Sequence, residues 1–111
     1  MTVTVKVLVP AQTASNTQST VYTADGVTAI IDKFTATNYS AAAATISVNL
    51  ITAGGASGND NLIVKTKTLQ AGETYTFPEL VGHVLNPGGL ISTLAGTASA
   101  INIRVSGRVV T

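Results

Sequence analysis

"MTVTVKVLVP", residues 1–10, sets Val3, Val5, Val7 and Val9 on one side of an extended chain, with Thr2, Thr4, Lys6 and Leu8 on the other. Alternation of period two marks a strand with one buried face, because successive side chains leave a pleated sheet on opposite sides. Pro10 has no N–H for a ladder and is expected to end the strand. Fully burying a valine is worth about 1.5 kcal/mol or more. The row Val3, Val5, Val7 and Val9 is therefore expected to be covered, by the domain's own core or by a neighbouring subunit. "AQTASNTQ" at 11–18 is poor in large apolar residues and reads as an exposed connector. The expected division is an N-terminal strand and arm over residues 1–18 and a β domain over residues 19–111.

The same period recurs downstream. "STVYTADGVTAIIDKFTATNYS" reads as two strands around Asp25-Gly26, the dipeptide a tight hairpin prefers. In the second of them Ile30, Phe34 and Ala36 are expected on one face, with Ile31, Lys33, Thr35 and Thr37 opposite. Asp32 interrupts the pattern, which predicts a bulge there. "AAAA" at 41–44 is too short to nucleate a helix and reads as a turn. "TISVNLI", "NLIVKTKTL", "LISTLAGT" and "AINIRVSGRVVT" are further strands, separated by Gly-rich stretches such as "TAGGASGNDN". Eight to nine short strands in 111 residues predict a single-domain, all-β antiparallel sandwich or jelly roll.

Charged residues form 10% of the chain against a usual share of about 25%, and the net charge is +1. Such a surface repels neighbours weakly, which suits a subunit held against other subunits better than a free enzyme. The six Lys and Arg are scattered and Trp is absent, so nucleic acid is not an expected partner. No apolar run approaches a membrane span, and the alternating N-terminus does not resemble a secretion signal. A soluble chain with no membrane partner is expected.

"AGETYTFPELVGHVLNPGGL", residues 71–90, holds the only His, both Glu and two of the three Pro. A hydrolase reading would make His83 a base oriented by Glu79 or Glu73. No G-x-S-x-G elbow singles out a nucleophile, and Gly82 weakens the helix that would bring Glu79 and His83 together. The stretch reads instead as a corner where strands change direction. One His, no Cys and dispersed carboxylates offer neither a zinc set nor a contiguous calcium loop. "GGASGND" lacks the following helix that a phosphate loop needs, and "NYS" at 38–40 is a short glycosylation pattern common by chance. No catalytic residue, cofactor or metal is expected.

"VTAIIDKFTATN", "LQAGETYTFPELVGHVL" and "GGLISTLAGTASAINIRVSGRVV" resemble small virion structural proteins of tailed bacteriophages, over most of the chain from residue 19 onward. The resemblance implies a β-sandwich capsid decoration or cement protein that stabilises the head by bridging major capsid proteins. It implies residence in the virion after assembly in the bacterial host cytoplasm. A long alternating strand with little charge predicts a homo-oligomer that buries its edges, and the resemblance favours a trimer over a dimer. Val3, Val5, Val7 and Val9 are the expected interface. A neck, tail or fibre component is the alternative within virions. A carbohydrate-binding module shares the architecture, with Tyr22 and Tyr39 as its candidate platforms.

Overall fold

The computed structural model describes residues 1–111 and contains nine strands. They are β1 (Val3–Thr13), β2 (Ser19–Thr23), β3 (Thr28–Asn38), β4 (Ala44–Ile51), β5 (Leu62–Leu69), β6 (Thr74–Tyr75), β7 (Val84–Leu85), β8 (Leu90–Ala95) and β9 (Ile101–Val110). One sheet has the order β1-β9-β3-β6, with β7 also pairing β3, and the other has the order β2-β8-β4-β5. All pairings are antiparallel. Because β6 and β7 pair with opposite ends of β3, they act as one interrupted strand. The first strand then pairs with the last, the second with the next to last, and so inward to the β4–β5 hairpin. That is one long hairpin rolled into two sheets, a jelly roll. The ends of the roll are tied by reciprocal bonds, Thr2 N–H to Thr111 O at 2.9 Å and Thr111 N–H to Thr2 O at 3.0 Å.

The core lies between the sheets, where alternation points apolar side chains inward. In β9 the inward residues Ile101, Ile103, Val105 and Val109 alternate with Asn102, Arg104, Ser106 and Arg108, as the sequence pattern requires. Phe34 and Phe77 meet edge to face at 5.0 Å, and Tyr75 packs on Phe77 at 4.8 Å. Gly107 is needed where β9 runs between β1 and β3, since a Cβ there would collide with the Ile30 carbonyl oxygen and with Leu8. Asn38 is fully buried and closes the β3–β4 turn. Its amide donates to Ala42 O and Leu69 O, and its Oδ1 accepts from the Ser40 N–H and hydroxyl. An amide so engaged is closed to glycosylation in the folded chain.

Four expectations are corrected. β2 and β3 are not a hairpin: Gly26 has the expected positive φ of 69°, but the turn carries the chain from one sheet to the other. The predicted bulge does occur at Asp32, between the pairs Ile31–Gly107 and Lys33–Ser106. It reverses the expected facing before it, so Ile31 is buried and Ile30 turns outward. A bulge in β1 acts the same way between Val7 and Val9. Only Val9 of the valine row, with Leu8, enters the core, while Val3, Val5 and Val7 lie outside. Residues 1–18 are also no detached arm. β1 is hydrogen-bonded along β9, and Ala14 is buried with its N–H donated to Ile101 O. The expected facing rested on side-chain period alone, and one inserted residue inverts it.

Candidate interaction surface

The outer face of the β1-β9-β3 sheet is built by the residues that alternate with the core. Antiparallel partners share a face, so the register sets rows across it. Val5 lies beside Arg108, Arg108 beside Ile30, and Ile30 beside Val84. Val3 lies beside Val110, and Val7 beside Ser106. Val5 is 80% exposed, Val3 and Val84 each 54%, and Val7 39%. Ile30 and Val110 are half-buried between them. Apolar residues thus cluster on one end of one face instead of scattering singly, which is the arrangement that marks contact surfaces.

Within this apolar end sits the single salt bridge of the structure. The Arg108 guanidinium grips Asp32 in a fork, with Nε donating at 3.1 and 3.0 Å and Nη2 at 2.9 Å. Hydrogen bonding and charge from Asp32 raise Arg108 above its ordinary value. The β3 bulge that turned Ile30 outward also delivers Asp32 to this fork. Towards the other end of the face, Lys33, Thr35, Arg104 and Ser106 line a shallow groove of about 330 Å³. Lys33 and Arg104 have no carboxylate partner. The face is therefore apolar at one end and cationic at the other.

β1 is also the edge of its sheet, and its far side pairs with nothing. Since Thr2 and Thr111 exchange both of their bonds, the alternate positions Val3, Val5 and Val7 turn their N–H and C=O groups away from β9. Two bulges and Pro10 blunt this edge after Val7, and before it Lys6 is the one charged side chain on the edge.

The opposite sheet is finished differently. Ser47, Asn49 and Ser92 on its outer side are buried, each bonded to a different neighbouring segment. Asn49 donates to Gly58 O at 3.1 Å and to Asn61 Oδ1 at 2.7 Å. Gln18 donates to Ser92 Oγ at 2.6 Å, and Ser92 to Ser19 O. Thr66, at a positive φ of 43°, sits in a β5 bulge, and its freed N–H is caught by Ser47 Oγ at 2.8 Å. A hollow of about 230 Å³ remains beside Lys65 and Asn59.

In residues 71–90, Glu79 accepts a hydrogen bond from the Tyr75 hydroxyl at 3.0 Å instead of facing His83. Burial and then Glu79 raise the Tyr75 phenol above its ordinary value of 10.0. His83 is exposed, and its backbone carbonyl accepts from Ile31 N–H. The stretch supplies a 3₁₀ turn at Pro78–Leu80 and the break between β6 and β7. A mixed polar and apolar cleft of about 310 Å³ lies beside it, lined by Ile51, Thr52, Val84, Leu85 and Asn86 among others. Of the candidate platforms, Tyr39 is 53% exposed and bonded to the Thr13 hydroxyl, while Tyr22 is half-buried against the core. No group of three or more His, Cys, Asp or Glu is placed to hold a metal ion.

The surface therefore gathers three of the four expected interface residues and excludes Val9. Sequence reading missed Ile30, Val84 and Val110. Val110 was legible as the outward alternate of β9, but Ile30 was hidden by the bulge and Val84 by its place in an apparent turn. No family model matches the chain, and no curated protein or solved structure matches it either.

Proposed function

We propose that this chain is a structural subunit of a bacteriophage virion, a capsid decoration or cement protein that bridges major capsid subunits and contacts other copies of itself. The virion assignment rests on the resemblance over most of the chain from about residue 19 onward. The observation that carries the subunit role is the joining of an open strand edge, Val3–Val7, to an apolar outer face in a chain with few charges. Exposed valines and unpaired strand groups are costs that a neighbouring subunit removes. The Lys33–Arg104 end adds an attraction for an acidic neighbour. Nothing in this role requires catalysis, a cofactor or nucleic acid. Copy number and position in purified virions test it. Hundreds of copies on the head are expected; a dozen or fewer at the neck or tail would transfer the role to a tail component, and absence from particles would end the virion reading.

A further inference from the structure

We infer that the open edge of β1 is self-complementary and joins two copies of the chain by antiparallel β1–β1 pairing about a twofold axis at Val5. The inference deepens the proposed subunit role and rests on it. The groups turned outward are the N–H and C=O of Val3, Val5 and Val7, since the alternate residues spend theirs on β9. With the axis at Val5, Val5 opposes Val5 of the second copy and Val3 opposes its Val7. Every outward group then finds a partner.

Charge selects this register. Lys6 is the only charged side chain in β1. An axis at Val5 sets it opposite Thr4 of the second copy. Moving the axis one residue on, to Lys6, opposes two lysines directly, which is destabilising in a cross-strand pair. Moving it one residue back, to Thr4, leaves Val7 facing Met1 and loses a valine match. Pairing cannot run much past Val7, because bulges follow between Val7 and Val9 and between Val9 and Gln12. The interface is thus confined to the segment whose side chains the fold leaves exposed.

The pairing makes the two sheets continuous and sets both copies' Val3, Val5 and Val7 in one stripe on a shared outer face. That face is a broader plate for a capsid surface than one copy offers. A twofold contact alone gives a dimer, so the threefold order expected from the resemblance would need a different surface.

The chain has no cysteine, which makes single-cysteine linking a direct test on the full chain. Opposed residues in a hydrogen-bonded pair have Cα atoms about 5.5 Å apart, within disulfide reach. Val5→Cys should link copies into a dimer on oxidation. Val3→Cys should not, because the two copies of position 3 are about 13 Å apart along the strands, whereas Val3→Cys mixed with Val7→Cys should. In sedimentation, the wild type should run as a dimer and both Val5→Lys and Val5→Pro at half that mass, with unchanged circular dichroism. Proline suits this position because the N–H it removes faces away from β9. A monomeric wild type, a dimeric Val5→Lys, or linking by Val3→Cys as readily as by Val5→Cys would overturn the pairing. A wild type that is monomeric yet attaches to particles would overturn the pairing alone. A linked dimer that is absent from particles would uphold it and overturn the virion role.

Discussion

The outer faces of the two sheets solve the same problem in opposite ways. One is covered by its own chain: Asn49 and Asn61 join the β4–β5 loop to the sheet, Gln18 and Ser92 tie the segment before β2 to it, and three polar side chains are buried there with partners. The other ends in bare valines along an edge strand. A chain able to cover one face could cover both. The difference marks the face that the proposed subunit contact would use, and substitutions should separate residues that hold the fold from residues that this contact would need.

The largest effect should come from deleting residues 1–10. Val3, Val5 and Val7 would be dispensable to an isolated domain, but Leu8 and Val9 are core residues. Losing these two side chains costs about 3–6 kcal/mol by burial alone, and the loss of β1 strips β9 of a neighbour as well. Against a total stability of about 5–15 kcal/mol, the truncated chain should fail to fold, seen as lost near-ultraviolet circular dichroism and a vanished melting transition. A folded truncation would restore the detachable arm that the sequence suggested.

Next in size is Asn49→Ala, on the covered face. Asn49 is 4% exposed, and its amide satisfies Gly58 O and Asn61 Oδ1. Removing it should cost about 2 kcal/mol in denaturant unfolding, because both hydrogen bonds that hold the loop to the sheet are lost, each worth about 1 kcal/mol net. The bare face should respond in the reverse manner. Val3→Thr, Val5→Thr and Val7→Thr together keep β-branched shape and strand preference, so stability should shift by less than about 0.5 kcal/mol per position. Attachment to particles should fall sharply. Equal stability losses on both faces would erase the distinction between them.

Much of the architecture was legible from residue order. The alternation in β9 and the turn residues around it point to a two-layer β fold without any structure, since period two and burial on one face are nearly the same statement. The illegible part arose from single-residue insertions. The bulges at Leu8 and Asp32 invert the facing of Val3–Val7 and of Ile30 relative to the later residues of their strands, and a pattern of side chains cannot say where the ladder slips. Partner choice was equally hidden: Asp25-Gly26 has the chemistry of a hairpin turn but connects strands in different sheets. The candidate surface is made by these two blind spots together, which is why only its valines were anticipated.

The smallest effect, and the one that touches both sheets alike, is the response to alkali. Tyr22 lies in β2 of the covered sheet and Tyr75 in β6 of the bare one, and both phenols are raised above 10.0. Burial raises Tyr22; burial first and then the hydrogen bond and charge of Glu79 raise Tyr75. A raised phenol holds its proton more firmly in the folded chain than in the unfolded one. Its contribution is therefore whole below the unfolded value near 10 and is lost as pH rises through the higher folded value. Arg108, also raised, acts in the same direction at still higher pH. These three groups leave stability level through neutrality and lower it in alkali. Denaturant unfolding across that range should show the decline begin above about pH 10, and Tyr22→Phe and Tyr75→Phe should each make it shallower. Stability that rises in alkali, or an unchanged slope in both variants, would show that neither phenol is held as this fold holds it.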